Sequence, residues 1–158
     1  MPVAALCLLC LLWAGMVLGI SFLETPVKFT APSLTLPVGL DVGRHVFGVF
    51  NKVEVAAALL ALGLVLLARG GADPGAAVVM SRLVVWLPVA VALLVVLVQT
   101  VWLLPVLDAR VGVILEGGTP PRAPYHVVYV VLEAAKLACL IAAGTACLLA
   151  NLPGGGHG

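Results

Sequence analysis

Two long stretches of this chain, Pro2 to Leu23 and Leu83 to Leu107, contain no charged residue at all. About 20 apolar residues is the length at which a helix crosses a hydrocarbon core roughly 30 Å thick. Inside such a core no water reaches the peptide groups, so each must find its partner within the protein, and an isolated segment can do this only as a helix. Two further stretches, 43–68 and 124–152, are apolar but interrupted by polar side chains. The expected fold is therefore all-α: a polytopic membrane protein, one membrane domain built as a four-transmembrane-helix bundle, with spans near 2–23, 43–68, 83–107 and 124–152. Pro153 and the glycines after it predict a flexible tail over 153–158.

Composition narrows the function classes. Hydrophobic residues make up 63% of the chain and charged residues 9%, where a soluble domain carries about a quarter. A net charge of +1 offers no basic stripe for phosphates, so nucleic acid is not an expected partner. The lipid bilayer is, together with a second copy or another membrane protein. No Lys or Arg precedes Lys28, whereas a signal peptide would begin with a basic segment and a shorter apolar core. The first apolar run is thus read as a retained span.

Lys and Arg in the connections set the expected orientation. The segments after spans one and three hold Lys28, Arg44, Lys52, Arg110 and Arg122, against Arg69 and Arg82 after span two. Positive residues collect on the cytoplasmic side, which places both termini on the other side of a plasma or inner membrane. Asp41 is a candidate N-cap for span two and Gly70-Gly71 its stop. Segment 24–41 carries Pro26, Pro32 and Pro37 among apolar residues, and is expected to run as an interfacial or re-entrant loop.

Glu133 and Lys136 lie one turn apart inside span four. Ionisable groups at that depth cost roughly 2.5–3.5 kcal/mol each on insertion scales and normally face protein or water. His126 and Tyr129 share their face at helical spacing. Counting about 1.5 Å per residue from the start of each span puts Lys52, Glu54, Glu133 and Lys136 all roughly 14–18 Å deep, with Asn51 beside them. Gln99 and Thr100 come from span three. The candidate site is this intramembrane cluster: Glu133, Lys136, Lys52, Glu54, Asn51, His126, Tyr129 and Gln99. A structural lock between helices, a polar cavity for a small solute, ion or proton, and a membrane enzyme using Glu133 and His126 are the three readings it allows.

Other features carry less. Ala134, Ala138, Ala142, Ala146 and Ala150 form a small-residue stripe, and Gly15 with Gly19 a GxxxG pair, both suited to close helix contact and the latter to a homo-oligomer. Cys7, Cys10 and Cys147 fall at similar depth and are the weak candidates for a soft metal, but small buried hydrophobes explain them better. No metal site and no cofactor is expected. His45 reads as interfacial, and His157 lies in the glycine tail. Phosphate-loop, zinc-protease and nucleophile-elbow motifs are absent.

Three stretches share order and spacing with a known group: Phe47-Gly-Val-Phe-Asn-Lys-Val-Glu54, Gln99-Thr-Val-Trp-Leu-Leu-Pro-Val-Leu-Asp-Ala-Arg110, and Tyr125-His-Val-Val-Tyr-Val-Val-Leu-Glu133. In these the chain resembles a family of small four-helix membrane proteins of unknown biochemical function, which includes a human transmembrane protein linked to cisplatin resistance. The resemblance implies the architecture and no established reaction. The expected function is that of a non-enzymatic membrane-complex subunit or accessory protein; the alternative is an oligomeric transporter or ligand-binding protein.

Overall fold

A computed structural model of the chain describes residues 2–71 and 83–151. The described residues are helical with short connections and no strand. The first span joins α1 (Pro2–Val17), a π-helical segment π1 (Leu18–Glu24) and α2 (Thr25–Lys28). The second is α3 (Leu36–Gly70). The third joins α4 (Leu83–Val98), π2 (Gln99–Leu103) and α5 (Leu104–Leu115), and the fourth is α6 (Tyr125–Asn151). Four helical stretches are long and apolar enough to cross a membrane, so the fold is an all-α bundle of four such helices. The expected tail over 153–158 and the connection after span two lie outside the described residues.

The expected loop 24–41 shrinks to residues 29–35. Two of its three prolines sit where a helix tolerates them. Pro26 occupies the first turn of α2 and Pro37 that of α3, positions whose N–H groups have no intrahelical partner. Only Pro32 stands in the connection itself. Asp41 is consequently not an N-cap; Thr35 holds that position in extended conformation, and Asp41 pairs with Arg44 at 2.9 Å one turn inside α3. At about 1.5 Å per residue α3 is far longer than a hydrocarbon core, so its opening turns, with Asp41, Arg44 and His45, project into the polar boundary.

Span three also outruns its expected end at Leu107. Pro105 begins α5 rather than stopping the helix. The stop comes after Leu115, where Gly117 takes the left-handed conformation (φ 81°), Gly118 N donates to Val113 O at 2.8 Å and Gly117 N to Ile114 O at 3.0 Å. That paired return of N–H groups is a Schellman cap, which needs a residue without a Cβ penalty at Gly117. The projecting ends of α3 and α5 meet where Arg44 Nη1 lies 4.0 Å from Asp108 Oδ1.

Helix α6 packs between α1 and α4, and α3 closes against α1, α4 and α5. The small residues doing this work are only in part those expected: Ala146 packs against the core. Ala134, Ala138 and Ala142 point outward, and Gly15 has nothing within 4 Å of where a Cβ would stand. The buried face of α6 instead runs through Tyr129, Glu133, Lys136, Leu140, Ala143 and Cys147. The close crossing with α1 is at Gly144, whose added Cβ would lie 2.8 Å from Leu11 Cδ2 and 3.4 Å from Cys10 Cβ. Exposed Leu12, Leu67, Val101 and Leu149 present the sort of surface that soluble proteins avoid and lipid tails cover.

Replacing Gly144 with Leu should lower the thermal stability of the detergent-solubilised protein by about 1–3 kcal/mol, the usual cost of overpacking a close contact. Gly15→Leu should leave unfolding unchanged. Equal effects at the two sites would show that the α1–α6 crossing is not where the structure puts it.

Candidate functional site

Four polar side chains that lipid would reject are withdrawn almost completely from the surface: Glu54, Gln99, Glu133 and Lys136 are 2%, 1%, 0% and 0% exposed. The Lys136 ammonium is their centre. It stands 2.5 Å from Glu54 Oε1 on α3, 2.6 Å from Glu133 Oε1 one turn back on α6, and donates to Gln99 Oε1 on π2 at 2.9 Å. Gln99 Nε2 returns a bond to Glu133 Oε1 at 2.7 Å, which fixes the orientation of its amide. Three ammonium hydrogens thus meet three acceptors from three spans.

The first span completes the network, with residues the sequence reading missed. Trp13 Nε1 donates to Glu54 Oε1 at 3.0 Å and Ser21 Oγ to Glu133 Oε2 at 2.8 Å. Trp13 is fully buried in mid-helix. That was the available signal: tryptophan in a span normally belongs to the interfacial belt, and a central one needs an acceptor for its indole N–H. Tyr129 is buried beside Ser21 and Glu133, its ring edge-on to Phe47 with centroids 5.3 Å apart. Among the described residues every buried side-chain nitrogen and oxygen has a hydrogen-bond partner.

Two prolines bring Ser21 and Gln99 into place. Proline cannot donate to the carbonyl four residues back, and its ring crowds that carbonyl. Ahead of Pro26 and Pro105 the chain widens instead into π-helix: Thr25 N donates to Ile20 O and Leu104 N to Gln99 O, each five residues back. A widened turn shifts the facing of residues along the helix, and π segments of this kind recur at functional positions. Here one holds Ser21 and the other Gln99, and both contact Glu133.

Three expected members stand apart. Lys52 is exposed on the outer face of α3, because Glu54, two positions on, points to the opposite side. His126 is exposed in the first turn of α6, well short of Glu133 along the helix. Asn51 is half-buried and faces Thr100, whose Oγ1 is 2.9 Å from Asn51 Oδ1 and 2.7 Å from Val96 O. It forms a neighbouring polar contact between α3 and π2 rather than part of the network. Cys7, Cys10 and Cys147 are buried, with Cys7 Sγ 3.3 Å from Gly144 O. Among the described residues no group of three His, Cys, Asp or Glu side chains is arranged to hold a metal ion.

Chemically, the site can lock helices and can hold charge. It contains two carboxyls and one ammonium, all sealed from solvent. Buried pairs of this type add little net stability, yet removing one partner strands the other. Comparisons with protein-family models, with curated proteins and with solved structures find no match to this chain.

Charge arithmetic orders the variants. Lys136→Met leaves two carboxyls with no cation and should cost about 3–5 kcal/mol, seen as loss of folded yield in detergent. Glu54→Gln keeps one balanced pair and should cost about 1 kcal/mol. The neutral triple variant Glu54→Gln, Glu133→Gln, Lys136→Met should recover much of the yield that Lys136→Met loses. Pro105→Ala should let π2 rewind and lose the Gln99 bonds, so it and Gln99→Ala should be markedly non-additive in a double-mutant cycle. Strict additivity would separate the proline from Gln99.

Proposed function

We propose that this chain is a non-enzymatic integral membrane protein that serves as a subunit of, or accessory to, a membrane complex. The observation that carries the reading is the saturation of the polar network. Glu54, Gln99, Glu133 and Lys136 are sealed, and among the described residues no buried side-chain nitrogen or oxygen is left without a hydrogen-bond partner. An active site or a binding cavity needs polar groups held open towards substrate. The enzyme reading also loses its acid–base pair, since His126 is on the surface away from Glu133.

The same proposal includes placement and kinship. Lys28, Arg44, Arg110 and Arg122 outnumber Arg69 and Arg82 across the two sets of connections, which supports a plasma or inner membrane with both termini non-cytoplasmic. Kinship with the small four-helix family belongs to the same proposal and rests on the order and spacing of the three similar stretches. They supply the Phe47–Tyr129 and Asn51–Thr100 contacts and the Glu54, Gln99 and Glu133 members of the network.

One observation favours a second reading, transport of a proton or small cation. Two carboxyls against one ammonium give an uneven count, so with both carboxyls ionised the network is one negative charge in excess and takes one proton or cation to become neutral. Reconstitution separates the two. Purified full-length protein in liposomes with an entrapped pH dye should show no proton flux above protein-free vesicles under a potassium diffusion potential. Flux that vanishes in Glu54→Gln would overturn the accessory reading and establish the transport one.

A further inference from the structure

We propose that the network binds one proton, held on Glu54, and that the proton reaches it from the side of the bundle on which Lys28 lies. The inference goes beyond the accessory reading and does not depend on it. Two carboxyls and one ammonium are sealed together, with Glu54 2% exposed and Glu133 and Lys136 0%. With both carboxyls ionised the site would carry an excess negative charge and no water to solvate it. Taking up a proton is far less costly than that. Losing a hydrogen from the Lys136 ammonium would only deepen the imbalance.

The pattern of acceptors shows where the proton fits. Glu133 uses both oxygens: Oε1 accepts from Lys136 and Gln99, and Oε2 from Ser21. An acid hydrogen there would contest lone pairs that these donors already use. The contacts of Glu54 with Trp13 and Lys136 both fall on Oε1, so Oε2 can carry the hydrogen without disturbing either. Around Glu54 the facing groups are Trp13 of α1 and Lys136 and Glu133 of α6, with Gln99 of π2 bridging the last two. Tyr129 stands next, beside Glu133. A metal ion fits this site less well than a proton. It needs several oxygens at once, whereas Glu133 Oε1 and Oε2, Gln99 Oε1 and Glu54 Oε1 already face N–H or O–H donors.

The two halves of the interior differ in what they offer a proton. Beyond Lys136 the core closes with apolar side chains, among them Leu6, Ala61, Val65, Leu140 and Ala143. Towards the start of α6 polar groups continue. Ser21 and Tyr129 lie beside Glu133, Tyr129 meets the Phe47 ring edge-on, and the Lys28 ammonium is 5.8 Å from the centre of that same ring. Lys28 pairs with Glu24, whose side chain is 35% exposed. Phe47 thus separates the polar boundary from the hydroxyls of the network, and a swing of its ring would let water reach them. A proton delivered through those hydroxyls to Glu133 moves on when Lys136 gives one hydrogen to Glu54 and takes one from Glu133. Every group but Glu54 is then as it began.

Infrared spectroscopy of the full-length protein in dodecyl maltoside, a detergent without an ester carbonyl, reads the proton directly. Surface carboxyls are ionised at neutral pH, so the C=O stretch of a protonated carboxyl there reports a sealed one. Wild type should show one such band, and it should shift when the glutamates carry heavy carbon in the side-chain carboxyl. Glu54→Gln should remove the band and Glu24→Gln should leave it. Glu133→Gln should remove it as well, because Glu54 and Lys136 are then balanced; burial of Glu54 alone would keep it. In heavy water the band should move as the proton exchanges, severalfold more slowly in Tyr129→Phe and severalfold faster in Phe47→Ala. A wild-type spectrum without a protonated carboxyl overturns the proposal, as does a band that survives Glu54→Gln or Glu133→Gln. Exchange at the wild-type rate in both Tyr129→Phe and Phe47→Ala overturns the entry side. The spectra involve neither flux nor a partner, so this proposal and the accessory reading can fail separately.

Discussion

The contact on which the bundle depends is the one between the Lys136 ammonium and its acceptors on three spans. In lipid there is no hydrophobic force driving helices together, since acyl chains are as apolar as leucine, and association falls to packing and polar contact. Lys136 supplies the second in a form that specifies geometry. Its three hydrogens meet Glu54, Gln99 and Glu133, and Glu54 and Glu133 in turn hold Trp13 and Ser21 of the first span. A slip of one helix by a turn would break this set and strand a charge in hydrocarbon. Registry is the best-attested use of buried polar groups, and here it acts on all four spans at once.

That dependence explains why the two π-helical segments are where they are. An α-helix has limited ways to present Ser21 or Gln99 to Glu133 while keeping its apolar neighbours towards lipid. A proline just downstream makes the widened turn the local solution rather than a strained one. Pro26 and Pro105 look like helix breakers along the sequence. In the fold they act as aiming devices, and each also starts the next helical piece.

Much of this was legible before the structure. Helical membrane architecture, the number of spans and four members of the network, Glu54, Gln99, Glu133 and Lys136, follow from hydropathy, helical spacing and depth. What depth counting lacks is angle. Lys52 and Glu54 are at nearly the same height, but two residues apart on a helix they differ by about 200°, so one is buried and the other faces lipid. Trp13 and Ser21 were missed because span one carries no charge, and attention to charge passes over neutral donors. The alanine stripe of α6 misled for the opposite reason: small residues permit close contact without requiring it, so Ala146 packs against the core while Ala134, Ala138 and Ala142 stay on the surface.

Evolution of a charge into lipid is costly, and the chain carries two solutions to that cost on one helix. On the inner face Glu54 is sealed inside the bundle against the Lys136 ammonium. On the outer face Lys52 is exposed, and its flexible stem can carry the ammonium back towards the polar boundary. The same residue type therefore meets that cost in opposite ways on one bundle: Lys136 is enclosed by acceptors from three spans, and Lys52 stays on the surface, where its stem can bend towards water.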